Sequence, residues 1–248
     1  MKIFGRVLGA FLVIFSLNSC KNGDSGINQS DSANNTSGFK GGNKVARIAE
    51  MATPTSIFPH LITQATEALI SGQIFEGLVK VDPKTLEVKP GLAEKWELSP
   101  DGKTITFQLR KGVKFQKTGI FAEKDVEITA EDVKFTFELL CTYSDNNLHF
   151  ATVCKDRIVG ANECYENSKA GQKIDLKGIK IKDTHSFTIE LLNSPAIFLD
   201  ILGSSAAGIL SKEAYLAEKE KTKIGAGPFI YDTKNSTAQI NKLYKNEN

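Results

Sequence analysis

Trp96 and Leu98 lead into Ser99-Pro-Asp-Gly102, and Ile105, Phe107 and Leu109 lead out of it. Apolar residues at every second position on both sides of a Pro-Asp-Gly turn leave the backbone little choice. Proline presets one turn angle, glycine takes the left-handed position, and the flanking runs pair as antiparallel strands with one face buried. Any fold of this chain must therefore contain that hairpin, with Trp96 on its buried face. A second hairpin is spelled by Ile179 and Ile181, then Phe187, Ile189 and Leu191, around Asp183-Thr-His-Ser186.

Helical signals alternate with these strands. Leu69, Ile70 and Ile74, with Ala65 one turn back, predict a helix over Thr66 to Phe75. Thr129 followed three residues later by Asp132 is a helix start, ahead of Val133, Phe137 and Leu140 on one face. Short strands are expected at Val45 to Glu50, Leu78 to Val81 and Leu86 to Val88, the last two around Asp82-Pro83. Ala196 to Leu202 and Ser211 to Lys219 read as helices. Phe229 to Asp232 and Ala238 to Tyr244 read as a final strand pair reached through Gly225-Ala-Gly-Pro228, and Ser144 to Lys173 reads as polar connection. The fold class is α/β of the mixed α+β kind, with no internal repeat.

The first residues are of another kind. Lys2 and Arg6 precede an apolar run from Val7 to Leu17 and then Leu17-Asn18-Ser19-Cys20, and these two basic residues account for the net charge of +2. The run is too short to span a bilayer but fits a secretory signal. Lys21 to Asn43, rich in Asn, Ser, Gly and Asp, cannot bury enough surface to repay its chain entropy and reads as a flexible tether. The remaining ~200 residues suffice for one large domain or two smaller ones. No basic excess points to nucleic acid.

Candidate chemistry is sparse. His60, His149 and His185 stand far apart. His149 lies between Cys141 and Cys154, with Cys164 beyond, but no Cys-x-x-Cys pair anchors a zinc site. In an oxidising compartment one disulfide among the three cysteines is expected, with its pairing open and one thiol left over. Gly225-Ala-Gly227 runs into proline and a strand where a phosphate loop would need a helix. Glu131 with Asp132, and Glu123 with Asp125, fit capping or solvation. Arg110, Lys111, Lys114 and Lys117 fit a solvated face, and Phe107, Phe115, Phe135 and Phe137 fit a core. Nothing points to catalysis, a metal or a cofactor.

Two resemblances sharpen this reading. Leu17-Asn18-Ser19-Cys20 after its apolar run resembles the lipobox of bacterial lipoproteins, which implies cleavage before Cys20 and its acylation, and so anchorage to a bilayer. Further on, Ile74-Phe-Glu-Gly-Leu-Val79, Asp82-Pro-Lys-Thr85, Pro90-Gly-Leu-Ala-Glu-Lys-Trp-Glu97, Phe107-Gln-Leu-Arg-Lys-Gly-Val-Lys-Phe115, Thr129-Ala-Glu-Asp-Val-Lys-Phe135 and Gly225-Ala-Gly-Pro-Phe229 occur in this order. Together they resemble the extracytoplasmic solute-binding proteins of the oligopeptide, dipeptide and nickel class, family 5, that serve ABC importers.

That resemblance implies a non-catalytic, membrane-anchored subunit that captures a solute, peptides first, and delivers it to permease subunits. Nickel, haem or oligosaccharide cargo, or a surface adhesion or sensing role on the same scaffold, are the alternatives. It implies the type II periplasmic-binding-protein fold, here lobe I without a counterpart of lobe II. The expected organisation is a signal over 1–19, the lipidated cysteine and tether over 20–44, and a first core part over 45–80. An inserted β-rich subdomain follows over 81–193 and the resumed core over 194–248. It places Thr63, Gln64, Ala65, Ala226 and Gly227 near the ligand cleft. Gln116 to Ile128 is longer than the family pattern and the cysteine-bearing segment is particular to this chain, which bears on surface contacts and not on the fold.

Overall fold

The computed structural model describes residues 47–50, 52–195 and 197–247. The signal and tether expected over residues 1–44, with Cys20, lie outside them. Residues 49–248 form one compact unit, and among the described residues no helix is long and apolar enough to cross a membrane.

The Pro-Asp-Gly hairpin forms as its sequence requires. Strand β3 (Ala93–Leu98) pairs antiparallel with β4 (Thr104–Leu109), with Trp96 opposite Phe107. Gly102 takes φ +70°, its N–H bonds to Ser99 O at 2.9 Å, and Ser99 Oγ accepts the Thr104 N–H at 2.9 Å. The second hairpin, β5 (Ile179–Asp183) and β6 (Ser186–Glu190), docks beside the first because β6 pairs with β4. One sheet of order β3-β4-β6-β5 results, and the Phe107 and Phe187 rings stack across its two central strands with centroids 5.3 Å apart.

Burial follows position in that sheet. Ile105, Phe107 and Leu109 on central β4 are buried, as are Phe187 and Ile189 on β6. On edge strand β3, Trp96 is half-buried and Leu98 is 51% exposed, which corrects the expectation of a fully buried face. An edge strand has a neighbour on one side only, so the side chains towards its far end are less covered. Ala93 at its start is in the core and Trp96 packs against it, while the pairing slips by a bulge between Ala93 and Lys95.

Helix α1 (Ala65–Ile74) and helix α2 (Ala130–Leu140) stand where the sequence puts them. The Asp132 carboxylate takes both the N–H and the hydroxyl of Thr129 at 3.0 Å, closing the start of α2. Val133, Phe137 and Leu140 of α2 join Phe107 and Phe187 in the main core. Thr136 then ties α2 onward, its hydroxyl accepting the Leu210 N–H at 3.0 Å. Phe135 is only half-buried and packs on Tyr215, centroids 5.6 Å apart. Downstream, α4 (Phe198–Leu202) and α5 (Lys212–Glu218) precede the pair β7 (Phe229–Tyr231) and β8 (Leu243–Lys245).

Other expectations change. Residues 47–50 carry no strand and join no described ladder. The pair β1 (Val79–Val81) and β2 (Val88–Pro90) forms, but Leu86 sits in the turn with φ +58°. The Asp82 side chain there accepts the N–H groups of Lys84 and Thr85 at 2.9 Å, lengthening the turn at the strand's expense. The region read as polar connection holds a one-turn π-helix (Phe150–Cys154) and helix α3 (Ala161–Lys169). Its apolar stripe is as thin as Ala161, Cys164 and Tyr165, yet the Phe150 and Tyr165 rings stack with centroids 4.0 Å apart. The three cysteines expected to share a disulfide are free, buried thiols, and His149 points its Nε2 at Ile62 O, 2.7 Å away. The longer segment after Gln116 is more than surface decoration, because Phe121 is buried against Phe115, centroids 6.2 Å apart.

Candidate functional site

Helix α1 organises both groups of expected cleft residues. At its N-terminus, Thr63 and Ala65 are exposed and Gln64 is half-buried. They are held by Glu67, a residue the sequence reading did not single out. One carboxylate oxygen of Glu67 accepts the Thr55 N–H at 2.8 Å, the Thr55 hydroxyl at 2.6 Å and the Ser56 N–H at 3.2 Å. The other accepts the Thr63 N–H at 2.7 Å, the Thr63 hydroxyl at 3.1 Å and the Gln64 N–H at 3.1 Å. A single side chain thus closes both ends of the loop from Thr55 to Gln64.

Glu67 is 0% exposed, and burial alone would push its pKa up. Hydrogen bonds from the Thr55 hydroxyl and from the backbone of Thr63, Thr55 and Ser56 outweigh burial and hold it at about 2. Inside the same loop His60 is buried beside Phe58, its ring edge-on with centroids 5.4 Å apart. Burial first, and then the nearby His149, lower its pKa to about 3, so the ring is neutral. The loop therefore presents Thr63 and Ala65 from a rigid, negatively charged anchor.

At the other end of α1, Gln116 does the holding. It is fully buried, and its side-chain N–H2 donates to Ile74 O at 3.2 Å, Gly227 O at 3.1 Å and Phe229 O at 2.8 Å. Its backbone N–H bonds to Gly225 O at 2.9 Å, and Gly227 N–H to Ile74 O at 2.8 Å. A Cβ on Gly227 would stand 2.5 Å from Gln73 O, and one on Gly225 would be 2.7 Å from the Ile74 carbonyl carbon. The two glycines let the chain lie directly on the end of the helix. Ala226, Gly227, Pro228 and Phe229 then line an open groove of about 540 Å³ with Leu92, Val113, Lys80 and Arg110.

The five expected residues therefore fall into two sets, one at each end of α1. At 1.5 Å per residue the ten residues of α1 separate the sets by ~15 Å. Gln64 and Glu67 carry the capping-box spacing, so Glu67 could have been found from sequence. Gln116, an isolated polar residue after Phe115, carried no such signal.

Comparison with known proteins places this architecture. The family model described as bacterial extracellular solute-binding proteins, family 5 Middle, matches residues 87–248. The dipeptide-binding protein of Escherichia coli (strain K12) is 36% identical over 186 residues, 71% of this chain and 33% of its own. Heme-binding protein A of Haemophilus influenzae is 32% identical over 187 residues, 72% of this chain and 32% of its own. Among solved structures, the ABC transporter-associated periplasmic binding protein DppA from Helicobacter pylori, in complex with the peptide STSA, superposes with a TM-score of 0.64. It is 30% identical and matches over 79% of this chain and 38% of that one. The chain spans about a third of the length of the curated relatives it matches. Its mixed α/β fold corresponds to one lobe of a type II periplasmic-binding protein, and the chain belongs to the bacterial extracellular solute-binding proteins of family 5.

Proposed function

We propose that the chain is part of the solute-capturing subunit of an ABC importer, with peptides as its cargo, and that it has no catalytic role. The observation that carries the cargo is the similarity, over most of this chain, to proteins named for dipeptides and to one solved with a bound peptide. Thr63, Gln64 and Ala65 at one end of α1, and Ala226 and Gly227 at the other, are the proposed ligand-facing residues. An extended peptide rises about 3.3 Å per residue, so four or five residues would reach from one set to the other and a dipeptide would meet one set.

A hinged binder takes its affinity from contact with two lobes, because a ligand shifts a population only by contacting both states differently. The test is thermal melting in the context of the complete reading frame, with dipeptides, tetrapeptides and haem supplied separately. Bound ligand adds to the unfolding free energy with the logarithm of its concentration over Kd, about 2.7 kcal/mol at a hundredfold excess, and so raises the midpoint. A rise with peptides supports the proposal. A rise with haem alone favours the second reading, drawn from the haem-binding relative, and no rise with any solute would sink both. Residues 21–248 by themselves should bind peptide weakly.

We further propose that 1–19 is a signal, that Cys20 is acylated and that 20–44 tethers the folded part to a bilayer on the extracytoplasmic side. The support is Leu17-Asn18-Ser19-Cys20 behind an apolar run, since several acyl chains anchor where one binds marginally. An alkyne-bearing fatty acid fed to expressing cells should label the protein, and Cys20→Ala should abolish the label; label retained in that variant rules out this attachment point. Within the folded part we propose core segments over 45–80 and 194–248 around an insertion over 81–193.

A further inference from the structure

One peptide unit of the loop from Thr55 to Gln64 is held from both sides. Its N–H, on Thr63, donates to Glu67 at 2.7 Å. Its carbonyl, on Ile62, lies 2.7 Å from Nε2 of His149. A carbonyl can only accept, so His149 carries a proton on Nε2 and donates it. In the ordinary trans unit the carbonyl and the N–H point in opposite directions, and the two side chains therefore stand on opposite sides of the chain. The unit cannot rotate without breaking a hydrogen bond at each end.

The two clamps come from different parts of the sequence. Glu67 is four residues from Thr63, whereas His149 is 87 residues from Ile62, in the connection between α2 and α3. That connection is anchored on either side of His149. The Asn147 side-chain amide donates to Leu140 O at 2.8 Å and to Thr142 O at 3.0 Å, which ties the turn to the end of α2, and its side-chain carbonyl accepts the Phe150 N–H at 3.3 Å. Phe150 is buried and stacked on Tyr165. His60, inside the loop, takes no part, since neither of its ring nitrogens has a hydrogen-bond partner among the described residues.

We propose that His149 is a positioning residue for ligand capture: held between it and Glu67, the Ile62–Thr63 unit fixes the direction in which Thr63 faces the ligand. The next unit is the one presented. Gln64 N–H is drawn to Glu67 at 3.1 Å, so the Thr63 carbonyl, pointing the opposite way, is turned from that anchor, and it has no hydrogen-bond partner among the described residues. It offers a ligand N–H an acceptor of fixed direction. His149 acts through the loop and not on the ligand, so what its donor supplies is preorganisation, and loss of the donor is felt as weaker binding. The inference rests on Thr63 being ligand-facing, as proposed above. The loop does not need His149 to fold. Phe58 is buried with Ile74, Phe75 and Leu210 in an apolar cluster to which Ile57 and Leu61 add, and Glu67 still closes both loop ends.

The experiment compares His149→Leu, which removes the donor, with His149→Gln, which keeps one. In the full chain, hydrogen exchange at the Thr63 amide should quicken about five- to tenfold in His149→Leu, while the Thr55 amide on the same carboxylate and the Phe107 amide in the central sheet stay within about twofold. His149→Gln should restore most of the protection. Ring nitrogen shifts of the parent, recorded where the imidazole is neutral, should place the proton on Nε2. In the complete reading frame, tetra-alanine should bind about tenfold more weakly to His149→Leu and within about threefold of the parent to His149→Gln. A proton on Nδ1, unchanged exchange at Thr63 in His149→Leu, or unchanged tetra-alanine affinity in that variant would each overturn the proposal. A parent that binds no tetra-alanine counts against the peptide cargo proposed above, and the tautomer and exchange measurements then decide the clamp on their own.

Discussion

Glu67→Ala should lower stability by about 3–4 kcal/mol, read as a drop of roughly 10 °C in melting midpoint for a domain of this size. The carboxylate receives hydrogen bonds from Thr55, Ser56, Thr63 and Gln64 in a site with no exposure. Alanine removes every one of those acceptors while the donors stay inside the loop. The loss should be local first. Hydrogen exchange at the Thr55, Thr63 and Gln64 amides should accelerate more than at Phe107 or Phe187 in the central sheet. A variant that melts within a degree or two of the parent would show that the loop holds itself by other means.

Glu67→Gln separates charge from shape. The folded pKa of about 2 lies below the ordinary 4.5, so the contribution of this carboxylate is fully present above about 4.5 and lost as pH falls towards 2. At about 1.4 kcal/mol for each pH unit between the two values, the size is about 3 kcal/mol. His60 acts in a different window. Its folded pKa of about 3 lies below the ordinary 6.5, so unfolding takes up a proton and stability begins to fall below pH 6.5. In urea titrations from pH 7 to pH 3, the glutamine variant should keep the decline between 6.5 and 4.5 and lose part of the decline below it. An unchanged slope below pH 4.5 would remove Glu67 as its cause.

What could be read from sequence divides by the range of the interaction. The hairpin at Ser99-Pro-Asp-Gly102 and the capped start of α2 are local, set by turn angles and by a side chain three residues from the N–H it caps. The joining of the two hairpins through β4 and β6 is not local, and neither is the exposure of Leu98, which depends on β3 being an edge. Helix α3 does not show in the sequence because its apolar stripe is too thin for periodicity; in the fold its Ala161 and Cys164 are buried in the main core and its Tyr165 stacks on Phe150. At the candidate site the order of motifs indicated where to look. It did not reveal that the two sets of residues sit at opposite ends of α1, since that depends on Gln116 reaching carbonyls more than a hundred residues downstream.

The groove end of α1 should be as sensitive as the loop end, for a reason of space. In Gly225→Ala the new Cβ meets the Ile74 carbonyl, and because the contact is backbone against backbone no side chain can rotate away. The segment from Gly225 to Phe229 must lift off the helix, stretching the bond from Gly227 N–H to Ile74 O and the bonds from Gln116. A cost of about 3 kcal/mol is expected. Gln116→Leu should cost a similar amount by another route, since the leucine fits but leaves the carbonyls of Gly227 and Phe229 without that donor. Gly102→Ala is the contrast. It stands in open space at φ +70°, so its cost is conformational, about 1 kcal/mol, and should leave the groove untouched. If Gly225→Ala and Gln116→Leu disturb one contact, their double variant should cost clearly less than the sum of the two single costs. Additive costs in urea unfolding would mean that glycine and glutamine support the groove independently, and that Gln116 does not seat this segment on α1.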